Sequence, residues 1–155
     1  MNSAELLSKI LSLSTELSPR EKTDRPAVLV PVHGLKDLML KLRDHSELNF
    51  DMLTLATAID WIKDGKIELV YILTSSTFKH SLQVGTVLDR EKPVAPSLSS
   101  VWAIAEWQER EIFDLFGVRY LNHPDLRRLL LEDDWKGHPL RKDYVDDFML
   151  ERPWR

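Results

Sequence analysis

The chain has 155 residues, of which 43% are hydrophobic and 30% charged, with a formal net charge of −4, a pI near 5.7 and no cysteine. A chain of this length fits one domain and buries roughly two thirds of its unfolded surface, so it needs no disulfide or metal to fold, and its composition is far from that of a disordered segment. The lack of thiols excludes a cysteine-ligated iron–sulfur cluster, a catalytic thiol and a disulfide framework, and favours an intracellular compartment; the acidic balance argues against a nucleic-acid partner.

The opening MNSAELLSKILSLSTELSPREK lacks the basic start and unbroken apolar centre of a signal peptide, and apolar runs elsewhere are short. Neither export by that route nor a membrane-spanning segment is expected. Leu6, Ile10, Leu13 and Leu17 recur at helical spacing behind a cap at Asn2 or Ser3, which predicts an amphipathic helix over 4–17, broken by SPREKTDRP. AVLVPVHG (27–34) reads as a short strand whose Pro31 suits an edge or a strand end. Leu35, Leu38, Met39 and Leu42 predict a second helix to about His45. Three strands follow, over 50–61, 66–75 and 78–89, with Asp64-Gly65 predicting a two-residue turn between the first two. Ile67, Leu69, Tyr71 and Leu73 share one face of the second strand, and Phe78, His80, Leu82, Val84 and Leu88 one face of the third.

REKPVAPSLSS (90–100) reads as a loop entering a third helix near Ser97 to Ser100, and that helix ends at Gly117, a natural C′ residue. Beyond Gly117 no period is sustained, and His-Pro at 123–124 and 138–139, with Pro153, predicts an extended tail laid over the domain. The expected fold class is α+β: a two-layer domain in which a mainly antiparallel mixed sheet packs against helices, with a core over 1–120 and an extended interface tail over 121–155.

Glu106, Glu109, Glu111 and Asp114 crowd carboxylates onto the third helix, as an acid/base pair or a two-metal site would require. Arg110 stands four residues from both Glu106 and Asp114, so an acid–Arg–acid ladder is the economical reading. His33, His45, His80, His123 and His138 show no metal-ligand spacing, and His80 on an apolar strand face reads as a hydrogen-bonded core residue. Five glycines form no phosphate cradle. Of thirteen aromatic residues, nine follow residue 100: Trp102, Trp107, Phe113, Phe116, Tyr120, Trp135, Tyr144, Phe148 and Trp154. The tail sets eight acids and seven Lys/Arg beside these rings, a composition that suits a protein interface.

The run EREIFDLFGVRYLNHPDLRRLLLEDDWKGHPLRKDY (109–144) resembles the signature of the C-subunit of proton-pumping NADH:quinone oxidoreductase, respiratory complex I, which reads approximately E-R-E-x-x-D-[LM]-[FL]-G-[IV]-x-[FY]-x-x-H-P-D-L-R-R. Its fixed positions are present as Glu109, Arg110, Glu111, Asp114, Gly117, His123, Pro124, Asp125, Leu126, Arg127 and Arg128. The continuation EDDWKGHPLRKDY, with one acid more than the usual EDW, adds Trp135, Gly137, His138, Pro139, Arg141, Asp143 and Tyr144. FDMLTLATAIDW and VAPSLSSVWAIAEWQERE carry the resemblance upstream, over about residues 27–145 in all.

The resemblance implies a non-catalytic member of a hetero-oligomer, peripheral to the inner membrane on its cytoplasmic side. Such a polypeptide is a scaffold that clamps the quinone-site subunit next to iron–sulfur subunits. It implies that this chain binds no cofactor itself, while the complex uses FMN, iron–sulfur clusters, NADH and quinone. Membrane-bound hydrogenases and ferredoxin-linked quinone reductases contain related subunits and supply the alternative reading. Under either, Glu109, Arg110 and Asp114 are expected to fix the third helix and Gly117 to let the chain turn away. His123, Asp125, Arg127, Arg128, Arg141 and Asp143 are expected to bond either to the domain or across a partner surface, with Arg127 and Arg128 holding the assembly.

Overall fold

A computed structural model describes residues 2–149 except Lys22; Pro153 and Trp154, included in the tail above, lie outside the described residues. Helix α1 (Ser3–Leu11) starts at a reciprocal cap in which the Asn2 side chain accepts from the Glu5 N–H and the Glu5 carboxylate accepts from the Asn2 N–H. It ends at Leu11 rather than at Leu17, because Ser12 turns its hydroxyl back to the Lys9 carbonyl and Ser14 and Thr15 offer the backbone similar alternatives. Leu13 and Leu17 still pack against the core from irregular chain.

Strand β1 (Ser18–Pro19) pairs antiparallel with β2 (Ala27–Leu29), which in turn runs parallel to β5 (Ser81–Asp89). Pro31 lies beyond the end of β2 and leads through a tight turn at Val32–Gly34 into α2 (Leu35–Asp44). The four predicted apolar positions of α2 are all buried. β3 (Met52–Trp61), β4 (Lys66–Thr74) and β5 form an antiparallel meander, giving a five-stranded sheet of order β1-β2-β5-β4-β3. Ile67, Leu69, Tyr71 and Leu73 all point inward, where α1 and α2 supply Leu6, Ile10, Leu35 and Met39 to the same core. The class is therefore α+β, with helices on the inner face of a mostly antiparallel mixed sheet.

Three further details differ from the sequence reading. Trp61 pairs with Lys66, so the β3–β4 connection is a four-residue loop made by a single 3₁₀ turn at Ile62–Asp64 and Gly65. β5 begins at Ser81, because Lys79 takes a positive φ of 55° and its N–H bonds to the Ser75 carbonyl, leaving Phe78 outside the strand. His80, just before that strand, is the hydrogen-bonded residue expected, with Nε2 2.8 Å from the Leu48 carbonyl and its ring 4.8 Å from that of Phe50.

The third difference lies in the segment read as a loop. It contains β6 (Val94–Pro96), which pairs in parallel with β7 (Arg119–Leu121), and α3 (Ala105–Phe116) makes the crossover between them. α3 starts at Ala105, later than expected, because Leu98 to Ala105 is taken up by turns that carry Trp102 into the core, where its indole N–H donates to the Phe50 carbonyl. Among the described residues no helix is long and apolar enough to cross a membrane.

Gly65 adopts φ 63° with open space around its Cα. Substituting Gly65→Ala should therefore introduce left-handed backbone strain without a clash and lower stability by about 1 kcal/mol, read as a shift of the urea midpoint at unchanged slope.

Candidate functional site

The sequence concentrates its chemistry at α3 and after it, and there the chain builds a strap. After β7, residues 122–144 contain no helix or strand and run back over the outer side of α3. The last four carbonyls of a helix have no partner within it. Here each finds one: Phe113 O accepts from the Gly117 N–H at 2.9 Å, Asp114 O from Arg128 Nη1 and His138 Nδ1, Leu115 O from the Leu140 N–H, and Phe116 O from Arg141 Nε at 2.7 Å. Two guanidinium groups thus stand at the negative end of the helix dipole, where positive charge is stabilising.

Asp114 makes the converse bond. Its Oδ2 accepts three successive strap N–H groups, from Leu129, Leu130 and Leu131 at 2.8–3.1 Å, while Oδ1 accepts from Arg128 at 2.7 Å. Three consecutive amides converging on one oxygen form an anion nest filled by a side chain. Burial alone pushes the Asp114 carboxyl up, but the Leu131 N–H, Arg128 and the other two amides outweigh it and hold the group below its ordinary range. Arg128 also donates to the carbonyls of Trp135 and Gly137, so one side chain ties three parts of the strap to the helix.

Gly117 turns the chain out of α3 with φ 78° and takes the His138 ring directly on its Cα, where an added Cβ would come within 2.6 Å of that ring. Gly137 likewise lies under the Tyr144 ring, whose hydroxyl donates to Asp146. The strap has a second anchorage at the far end of the sheet. Asp60 of β3 and Arg90, just past β5, form a buried ion pair, with Nε to Oδ1 at 2.7 Å; Asp60 also accepts the Lys142 N–H and Arg90 donates to Asp143 at 2.6 Å. Arg90 depresses the Asp60 and Asp143 carboxyls. Lys142 places its ammonium over the Trp61 ring, 6.0 Å from its centroid.

The four carboxylates of α3 diverge instead of forming a common site. Glu109 is wholly buried and accepts from the Ser97 hydroxyl and the Leu98 N–H, each at 2.6 Å, which pins the turn after β6 to the helix. Burial pushes its carboxyl up to about 7, against the opposing pull of those two donors and of Lys36. The negative Glu109 in turn adds to the burial that pushes the Tyr71 and Tyr120 phenols up. The His123 side chain, equally buried, accepts the Asp125 N–H on Nδ1, so its Nε2–H donates to the Glu106 carbonyl at 3.0 Å, with Glu109 3.9 Å away. Glu111 is exposed.

The expected Glu106–Arg110–Asp114 ladder does not form. Arg110 is buried, lies over the Trp107 ring, and donates to the Arg127 and Arg128 carbonyls at 3.2 and 3.0 Å. The strap carbonyls win because they need charged donors in a desolvated place, whereas a ladder on a solvated helix face is worth only a few tenths of a kcal/mol. Arg128 is used inside the chain, while Arg127 is 70% exposed and pairs only with Asp125 among the described residues. Pro124 holds His123 in the extended backbone that points its ring inward, Leu126 packs against the core, and Pro139 sits half-buried between His138 and the Leu140 contact to α3. Sequence reasoning gave Arg90 no role and read Ser97 only as a possible helix start. Their partners lie 30 and 12 residues away, and no local pattern marks them.

Among the described residues no three of His, Asp and Glu converge as metal ligands would. Fold and site together define a class: a two-layer α+β domain whose charged residues are used in holding a strap across one helix. The chain belongs to the family described as respiratory-chain NADH dehydrogenase, 30 Kd subunit, whose profile matches residues 28–147. It is 44% identical over 138 residues to the NADH-quinone oxidoreductase C-subunit of Moorella thermoacetica, covering 89% of this chain and 92% of that one. Other relatives are longer. It is 48% identical over 100 residues to the C-subunit of Trichlorobacter lovleyi (63% of this chain, 62% of that one), and 44% identical over 116 residues to the C/D-subunit of Phocaeicola vulgatus (74% and 22%). Among solved structures, a chain of the membrane-bound sulfane sulfur reductase, an archaeal respiratory membrane complex, superposes with a TM-score of 0.79 at 28% identity, covering 92% of this chain and 85% of that one. A trypsin-resistant fragment of Nqo5 superposes with 0.67 at 21% identity, covering 81% of this chain and all of that one, a likeness of fold alone.

Asp114→Ala should empty the nest and leave Arg128 partly unpaired, at a cost on the order of 3 kcal/mol. Urea denaturation reads that loss, and faster tryptic cleavage after Arg127 and Arg128 reads the release of the strap.

Glu109 predicts a pH signature. Below its ordinary value of 4.5 both folded and unfolded chains hold the proton, and up to about pH 7 only the folded chain keeps it. Its contribution is therefore full below pH 4.5 and lost as pH rises to 7, a decline of about 3 kcal/mol at 1.36 kcal/mol per pH unit. Asp60 and Asp114, held low, lose theirs only in more acid solution. Glu109→Gln, whose amide can still accept from Leu98 and donate to Ser97, should flatten the profile between these limits.

Proposed function

We propose that this chain is a non-catalytic scaffold subunit of proton-pumping NADH:quinone oxidoreductase. It grips the quinone-site subunit beside the iron–sulfur subunits, on the peripheral arm at the cytoplasmic side of the inner membrane. FMN, the clusters, NADH and quinone belong to its neighbours.

One observation carries this reading. The groups that could do chemistry, Glu109, Asp114, Arg110, Arg128, His123, His138 and Arg141, are all engaged in holding α3 and the strap together. The side chains left facing outward on the same structure are large and apolar: Ile104, Trp107 at 53% exposure, Leu130 at 62%, Trp135 and Leu140. Exposed tryptophan and leucine together with exposed charges such as Arg127, Glu111 and Asp133 have the composition of an interface core and its rim. Because the strap is already bonded in place, docking does not have to order it, which lowers the entropic cost of association.

The likeness to a chain of the sulfane sulfur reductase complex supports a second reading, a related subunit in another respiratory assembly such as a membrane-bound hydrogenase or a ferredoxin-linked quinone reductase. Identities of 44% and 48% to C-subunits of NADH-quinone oxidoreductase, against 28%, favour the first.

Purification of the native complex through a tag on this chain should recover the quinone-site and iron–sulfur subunits, flavin, and NADH:quinone activity. Recovery of a ferredoxin- or hydrogen-linked activity instead would transfer the assignment to the alternative. The double substitution Leu130→Asp with Leu140→Asp should reduce co-purification at least roughly tenfold while leaving the urea midpoint of the isolated chain nearly unchanged, since both side chains are more than half exposed.

A further inference from the structure

The two edges of the sheet are treated differently. β1, at one edge, is two residues long and contains Pro19, two devices by which natural sheets prevent unwanted pairing. β3, at the other edge, has ten residues and pairs only with β4. Its register is interrupted once, between Leu53 and Leu55, and is then regular from Leu55↔Ile72 to Trp61↔Lys66. Among the described residues, no main-chain hydrogen bond joins residues 53–60 to anything except β4, so every second N–H and C=O along that stretch points away from the sheet.

The usual protections are confined to the two ends of β3, an irregularity at Leu53/Leu55 and the inward-turned Asp60, and none lies between them. The sequence MLTLATAIDW holds no lysine, arginine or proline, and its only charge, Asp60, is turned inward to Arg90. Alternate side chains on the outer face are mostly apolar: Leu55 is 42% exposed and Ile59 half-buried, with Thr57 between them, and Trp61 at the end is 40% exposed beneath the Lys142 ammonium. A long, regular, uncharged edge of this kind on a free-standing domain is an aggregation site.

We propose that β3 is completed in the assembly by an extended segment of another subunit, which adds as a sixth strand along residues 55–60 and sets apolar side chains beside Leu55 and Ile59. The edge itself dictates the chemistry of the occupant. A row of alternating amide donors and carbonyl acceptors is satisfied by a strand and not by a helix surface, and the specificity of such strand addition comes from alternate side chains on the flanking face. That the strand comes from another subunit rests on the reading of this chain as a member of the complex. The proposed segment lies at the opposite edge of the sheet from β1 and meets the strap only at its Asp60 end, where the Lys142 N–H bonds to Asp60.

Residue-resolved hydrogen exchange on the isolated full chain and on the tag-purified complex tests the proposal. In the isolated chain, amides between Leu55 and Asp60 should alternate, those bonded to β4 being slow and those pointing outward fast. In the complex the outward amides should slow by roughly a hundredfold or more, while the others change little. Leu55→Lys with Ile59→Lys, two outward positions, should leave the isolated chain folded and reduce recovery of the complex at least tenfold. Outward amides that exchange equally fast in an intact complex would overturn the proposal and leave the assignment to the complex standing. Outward amides already slow in an isolated chain that sediments as a dimer would give the edge to a second copy, and would overturn it as well. A tagged chain that recovers no partner would remove both.

Discussion

The carboxyl end of α3 is the constraint on which the rest of the structure depends. A helix that stops inside a protein leaves four carbonyls without partners and a negative pole, and an extended segment that crosses it leaves amides without partners. The two deficits cancel here by exchange. The strap gives Arg128, His138, the Leu140 N–H and Arg141 to the helix carbonyls, and the helix returns the Asp114 carboxylate to three strap amides. Neither piece is satisfied alone. The exchange also fixes the geometry tightly, since it requires Gly117 both for its positive φ and for the absence of a Cβ beneath the His138 ring.

This arrangement explains an inversion of polarity. In most small domains the charged residues face water and the apolar ones face inward, but the strap turns Arg128 and Arg141 toward the helix and Leu130 and Leu140 away from it. Buried ion pairs are weak sources of net stability, because desolvation offsets much of the attraction, whereas breaking one by removing a partner is costly. Their effect in this molecule is positional: Asp114–Arg128 at one end and Asp60–Arg90–Asp143 at the other fix where the strap runs. A segment placed by directional bonds presents the same apolar side chains in the same places each time the chain folds.

Local periodicity made α2, the three long strands and the end of α3 legible, since each is decided by neighbours within a few residues: Leu35, Leu38, Met39 and Leu42 for the helix, Ile67 to Leu73 for the central strand. What stayed hidden is decided at long range. β6 and β7 are three residues each and exist only because α3 brings them side by side, and β2 runs parallel to β5 across more than fifty residues of chain. The same limit produced the misassigned ladder. Arg110 has two acids at helical spacing, and nothing nearby reveals that the carbonyls of Arg127 and Arg128 will arrive from the strap. Asp114, Arg128 and Arg141 stood in the sequence as candidates, but Arg90 was not marked and the pairing among all of them was not readable.

Three acids spaced along one helix show how far environment outweighs identity. Glu109 enters the core and is held near neutrality, Asp114 enters a nest of amides and is held ionised, and Glu111 stays in water. The first two occupy different sides of α3, so the helix is clamped between the turn after β6, which Glu109 holds, and the strap, which Asp114 holds. A helix fixed from both sides cannot rotate or slide without breaking a buried carboxylate contact. It is therefore a rigid element, and the strap bonded to it holds Leu130 and Leu140 at the surface in fixed positions.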